Sequence, residues 1–187
     1  MTTRRRSSAI AVAVLLAGVG IGVLAGGGGG DREPAALPLP AAPQGGAAVA
    51  LEQIGVTLRR PPGWSLSRGG RELVFRSRDR AAVLSISSPP QAPPTAAALL
   101  KSALRAIGRS YSDVTARPGD GRRVAGLPTS GVVVSARNRR GVRLRVLVAA
   151  VQGRRRAWLV QVFATGGSST ARLVEAQVAL QSLRLEG

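Results

Sequence analysis

Apolar and polar positions divide the chain into three stretches. From Ala9 to Ala25 no residue is charged or strongly polar. Residues 31–50 show no periodic apolar face. From residue 51 to 187 the apolar positions recur with the periods of strands and helices. Ile54-Gly55-Val56-Thr57-Leu58 alternates and predicts a strand, ended by Pro61-Pro62-Gly63. Glu72 to Arg76 predicts a short strand entered through Gly69-Gly70. Ala81 to Ser87 predicts another, with Val83, Ser85 and Ser87 on one face and Ala82, Leu84 and Ile86 on the other. Pro89 to Pro94 reads as a proline-rich crossing. Thr95 then caps a helix reaching about Arg109, because Ala96, Leu99, Leu100, Ala103, Leu104 and Ile107 recur at helical spacing. Lys101, Arg105 and Arg109 fall on its opposite face, as a solvated face would have them.

The second half predicts a meander. Val114 to Arg117, Arg122 to Val124, Gly131 to Ala136, Val142 to Val151 and Ala157 to Thr165 are strand-like. Asn138-Arg139-Arg140-Gly141 joins two of them and Gly153-Arg154-Arg155 the next two, and connections this short make antiparallel neighbours. Ser168 or Ser169 caps a final helix with Leu173, Val174, Ala176, Val178 and Leu180 inward, and Ser182-Leu183-Arg184-Leu185 closes the chain. Grouped strands with two separated helices predict an α+β fold, an antiparallel sheet meander packed with two helices.

The N-terminal stretch predicts a location. Its seventeen apolar residues span about 25 Å, slightly short of a ~30 Å hydrocarbon core. Arg4-Arg5-Arg6 precedes it and Asp31 and Glu33 follow, so residues 1–30 are expected to act as an export signal with the later domain outside. Two readings stay open: a single-pass anchor in the cytoplasmic membrane, or a signal peptide cleaved after Val23-Leu24-Ala25 that releases a secreted protein. Gly18 and Gly22 form a G-x-x-x-G, which composition also accounts for. Pro34, Pro38, Pro40 and Pro43 make residues 31–50 an extended linker of up to roughly 60 Å. One domain, residues 51–187, follows.

The segment Gly55-Val56-Thr57-Leu58-Arg59-Arg60-Pro61-Pro62-Gly63-Trp64 resembles the opening of PsbP-like domains, where a strand runs into a Pro-x-Gly-Trp turn. Gly126-Leu127-Pro128-Thr129 resembles that family's Gly-x-Pro-Ala step before a long hairpin, with Thr129 in place of the small residue, and the closing helix and Ser182-Leu183-Arg184-Leu185 are also similar. The resemblance covers about residues 52–186. It implies an antiparallel sheet flanked by helices and a non-enzymatic accessory or binding role, as in exported actinobacterial envelope proteins with a proline-rich linker. It carries over no active site. Trp64 is expected under its turn, in the core.

Composition narrows the chemistry. There is no cysteine and no histidine, so a lipoprotein anchor, disulfides, thiol or Ser-His catalysis and the usual zinc or haem ligands are excluded. No two of the domain's acidic residues, Glu52, Glu72, Asp79, Asp113, Asp120, Glu175 and Glu186, are adjacent in sequence. A Ser–Lys dyad fails, because the position three before Lys101 is Ala98. The expectation is no enzyme: no catalytic, cofactor-binding or metal-binding residue.

Charge supplies the remaining candidates. The chain has 27 basic residues, all but Lys101 arginine, and 9 acidic ones. From Leu51 onward 23 basic and 7 acidic residues give about +16. Arg137, Arg139 and Arg140 surround one hairpin tip and Arg154, Arg155 and Arg156 the next, about 30 Å away at the other end of the shared strand. Arg143 and Arg145 share one face between them and would join the two clusters into a stripe. Either this is a solvated surface that also protects sheet edges, or it docks anionic lipid or a phosphate-bearing wall polymer. A protein partner stays unspecified. Export and the scarcity of aromatic residues argue against nucleic acid.

Overall fold

The computed structural model describes residues 46–90, 95–119, 124–166 and 169–186. The apolar N-terminal segment, residues 31–45 of the linker, and Arg122 and Arg123 lie outside the described residues, so the expected export helix does too.

The described residues form two antiparallel sheets and two helices, the α+β arrangement that the sequence predicts. β1 (Ala48–Leu51), β2 (Val56–Arg59) and β10 (Arg184–Leu185) make a small sheet in the order β1-β2-β10. The large sheet has seven strands: β3 (Ser65–Gly69), β4 (Glu72–Arg76), β5 (Ala82–Ser87), β6 (Ser112–Pro118), β7 (Thr129–Arg137), β8 (Arg143–Gln152) and β9 (Ala157–Thr165). Their order is β3-β4-β5-β9-β8-β7-β6. Two meanders are therefore joined: β3 to β5, and β6 to β9. α1 (Ala96–Ser110) carries the chain from the middle of the sheet to its far edge, and β9 returns to pair with β5.

The two faces of the large sheet are covered at different places. α1, capped by the Thr95 hydroxyl accepting from the Ala98 amide at 3.1 Å, lays Leu99, Ala103 and Ile107 on Val134, Leu144, Val146, Val148 and Leu159. Burying Leu99 and Ile107 contributes about 2 kcal/mol each. α2 (Ser169–Gln181) and the small sheet cover the other face, where Val56, Leu58, Ala176 and Leu183 meet Leu73, Phe75, Leu84, Ile86 and Val162. β9 lies beneath both covers, and so reads as an almost unbroken apolar run.

Several expectations change. Ala48–Ala50, assigned to the linker, are strand: three residues carry too little alternation to signal one, and only pairing with β2 defines it. β3 was not predicted, because an edge strand with the exposed Ser65, Ser67 and Arg68 has a single apolar anchor in Leu66. Ile54 belongs to a 3-10 turn, Glu52–Ile54, rather than to β2. Val124, the end of the predicted strand from Arg122, makes only an isolated bridge to Leu127 around a turn with positive φ at Ala125 and Gly126. Along α2 the fully buried residues are Ala176 and Ala179, while Leu173, Val174, Val178 and Leu180 are half-buried.

Gly55 links the two chain ends of the domain. It ends the 3-10 turn at φ 59°, and its carbonyl accepts from the Glu186 amide at 2.8 Å. A Cβ here would run into the Glu186 carbonyl oxygen. Gly55→Ala is expected to destabilise the domain by about 2 kcal/mol or more, from left-handed strain plus the backbone clash. A urea titration would read this as a lower midpoint with an unchanged slope.

Candidate anion-binding surface

The turn chemistry sets the positions of the arginines. Asn138 closes the β7–β8 hairpin: its Oδ1 accepts from the Arg140 amide at 2.9 Å and the Val142 amide at 3.0 Å, and Gly141 takes a φ of 75°. This projects Arg139 and Arg140 into solvent. At the other end of β8, the Gly153 amide donates to the Arg156 carbonyl at 2.9 Å and closes a four-residue turn bearing Arg154 and Arg155, both exposed.

The register then sorts the eight candidates. Arg143 pairs with Arg137, and Arg145 with Ser135 on one side and Ala164 on the other, so all three arginines lie on the α2 side of the sheet. Arg143 and Arg145 are exposed and make no side-chain hydrogen bond or ion pair among the described residues. Arg137 is committed: its Nε meets Asp113 at 3.1 Å and it donates to the Gly141 carbonyl at 3.0 Å. Arg156 donates to the Gln53 carbonyl at 3.4 Å, beside the indole of Trp158, which donates to the Ile54 carbonyl at 2.7 Å. It serves as a clamp on the small sheet. β8 passes from buried Val151 through half-buried Ala149 and Leu147 to exposed Arg145 and Arg143, so Arg154, Arg155 and Arg156 are separated from the other five by covered sheet. The eight do not form one continuous stripe.

Arg117, absent from the sequence-based candidates, belongs with the first group. It pairs with Val133, which pairs with Leu147, so it too lies on the α2 side, exposed, on the edge strand β6. Alternation in the sequence placed Arg117 on one face of a strand, but only the β6–β7 register says which. That register carries a bulge between Ser112 and Thr115, with Asp113 at φ 50°.

Glu72, Asp79, Asp113 and Glu175 serve the fold. The Trp64 turn, with Gly63 at φ 73°, buries the indole at 3 % exposure, and its Nε1 donates to Glu175 Oε2 at 2.7 Å. Glu175 Oε1 accepts from Arg172, whose Nε donates to Asp79 at 2.8 Å. Asp79 in turn accepts from the Ser77 hydroxyl at 2.6 Å and the Ala81 amide at 3.0 Å. Glu72 accepts from Ser85 at 2.6 Å. Desolvation raises the pKa of Asp79, but Ser77, Ala81 and Arg172 together outweigh it and bring it down to about 2. Arg172 is held above its usual range, chiefly by its bond to Asp79. Among the described residues no three His, Cys, Asp or Glu side chains gather where a metal would bind.

Two outcomes follow from this network. The folded pKa of Asp79 lies below its unfolded value of 3.8, so its contribution is fully present above that value and is lost as pH falls towards 2. The carboxylate is more than a third exposed, and solvent screening reduces the gain. Asp79→Asn should lower the urea midpoint at pH 7, by less than the full shift because of solvent screening, and flatten the acid limb between about pH 4 and 2, so that variant and parent converge towards pH 2. Trp64→Phe keeps most of the packing but removes the donor to Glu175, and should cost about 2 kcal/mol in the same titration.

No protein-family model matches the sequence, and no curated protein matches it. Among solved structures the chain is similar to the Ran-binding protein Mog1p of Saccharomyces cerevisiae, with a TM-score of 0.52 and 9% identity over 74% of this chain and 94% of that one. It is similar to a protein of Bacteroides thetaiotaomicron with a TM-score of 0.52 and 12% identity over 77% of this chain, and spans 50% of that chain's length. The solution structure of cyanobacterial PsbP from Synechocystis aligns at a TM-score of 0.48 and 14% identity, over 82% of this chain and 98% of that one. At such identities a likeness describes the fold.

Proposed function

We propose that the chain is a non-enzymatic binding or accessory protein of the cell envelope: an export segment, a proline-rich linker and one PsbP-like domain. The observation that carries this reading is how the charged groups are used. Glu72, Asp79, Asp113 and Glu175 each hold a partner within the fold, while Arg117, Arg143 and Arg145 face solvent without one among the described residues. General acid catalysis wants a carboxyl held up near neutral pH, and the displaced carboxyl here, Asp79, is pulled down. The exposed guanidiniums suit recognition of an anionic partner. The run of apolar residues from Ala9 to Ala25 behind three arginines supports a place in or beyond the cytoplasmic membrane, and the Pro-Pro-Gly-Trp turn supports the PsbP-like assignment.

Fractionation of native cells, with the intact mass of the recovered protein, tests the location. The expected species is either the full-length chain in the membrane fraction or a chain beginning at Gly26 in the medium. A full-length soluble species in the cytosol would overturn the envelope reading.

A further inference from the structure

We propose that the part of the large sheet that the described residues leave open on the α2 side, formed by β6, β7 and the first residues of β8, is a ledge that binds a linear phosphodiester polymer without bases, held by Arg117, Arg143 and Arg145. The choice of a base-free polymer rests on the envelope location proposed above; the ledge itself rests on geometry.

The first argument is charge. Arg137 and Arg143 are direct cross-strand partners, an arrangement that destabilises a sheet when nothing screens it. Asp113 relieves Arg137, leaving Arg143 with no counter-ion among the described residues. Arg145 lies two residues along the same strand, about 7 Å away, and Arg117 lies two strands over, about 12 Å from Arg145 and about 16 Å from Arg143. Arg139 and Arg140 continue the positive surface at the hairpin tip. Three guanidiniums without a partner among the described residues, on one small surface, are a local cost that an anion removes, and such departures from packing rules mark functional surfaces. Each guanidinium offers a fork that fits two phosphate oxygens.

The second argument is shape. α2 packs on β9, β5 and β2, Ala164 of β9 beside Arg145 is buried on this side, and along β8 burial falls from half-buried Leu147 to exposed Arg145. A helix layer about 10 Å thick therefore rises beside the arginines. A flat bilayer resting on α2 would stand away from them, while a chain narrower than the ledge lies along it. The ledge is about 10 Å across from β8 to β6. Its aromatic content argues in the same direction: Trp64 and Trp158 are buried under the α2 cover, and Phe163 and Tyr111 stack on the α1 side. Among the described residues the ledge therefore has no platform for stacking bases. The outer edge of β6 is blunted as well. Gly119 donates to the Gly131 carbonyl at 3.0 Å, which sets the alternation so that Pro118 falls where an N–H would point outward. Addition of a further strand is disfavoured there, and side chains are left to do the binding.

The test uses the species recovered from cells, held in neutral phosphatidylcholine nanodiscs if it retains its apolar segment. Binding of labelled poly(glycerol phosphate) is followed by fluorescence anisotropy across salt concentrations. Two triple variants lose the same charge: Arg117→Gln/Arg143→Gln/Arg145→Gln on the ledge, and Lys101→Gln/Arg105→Gln/Arg109→Gln on the exposed face of α1. Thermal unfolding checks that both are folded. The ledge variant is expected to bind at least 10-fold more weakly at low salt. Its salt slope should fall by about 2, from roughly 0.7 per lost phosphate contact. The α1 variant should lose under 3-fold. Equal losses would mean that net charge alone binds, and would overturn the ledge. So would competition by phosphatidylglycerol vesicles at lower phosphate than the polymer itself, or by oligo(dT) more strongly than unlabelled polymer. A cytosolic species from the fractionation would overturn the envelope reading without touching the comparison of the two variants.

Discussion

A seven-stranded sheet has more surface than one helix on one side and a helix with a small sheet on the other can cover. That shortfall organises the molecule. α1 sits over β6 to β9 and α2 with the small sheet over β3 to β5 and β9, so the central strand β9 is buried from both directions along almost its whole length. The uncovered part of the α1 side carries Ser65, Ser67, Glu72 and Arg76, and the uncovered part of the α2 side carries Arg117, Arg137, Arg143 and Arg145. Polar side chains accumulate wherever the cover is missing, because burying them there without partners would cost several kcal/mol.

The cover on the α2 side needs fastening, since α2 lays mostly small or half-buried residues on the sheet. The Trp64–Glu175–Arg172–Asp79 chain does this by linking the turn after β2, the helix and the β4–β5 turn. Ser182 Oγ accepts from the Arg59 amide at 2.8 Å, and the Trp158 indole donates to the Ile54 carbonyl, which holds the small sheet against β9. Each ion pair here is half-exposed and contributes modestly alone. Their effect is to tie α2 to the turns on the β3–β5 side of the sheet.

Much of the fold was legible because its signals are local. β4 and β9 match their apolar runs residue for residue, and α1 follows its Thr95 cap and 3.6-residue spacing within one residue. The elements that went unread are those whose identity lies in a distant partner. β1 exists because Val49 meets Leu58, and β3 because Leu66 meets Phe75. Thr129 looked like a departure from a small-residue motif. Its hydroxyl bridges the Val124 amide and the Leu127 carbonyl, closing the turn that a smaller side chain would leave unsatisfied. The candidate surface was half legible: Arg143 and Arg145 share a face by alternation alone, but the sequence has no signal that Arg156 clamps the 3-10 turn or that Arg117 joins the group.

By itself the sequence determined the α+β class, the antiparallel meander, the α1 face, the absence of cysteine and histidine chemistry and the excess of arginine, since all of these are properties of composition or of spacing within one element. Tertiary structure alone decided which arginines share a surface. That depends on the bulged β6–β7 register and on which strands α2 covers, β9 and β5, and both are set by contacts between residues far apart along the chain. A one-residue slip in either strand would turn Arg117 or Arg145 to the opposite side while leaving every local pattern in the sequence intact.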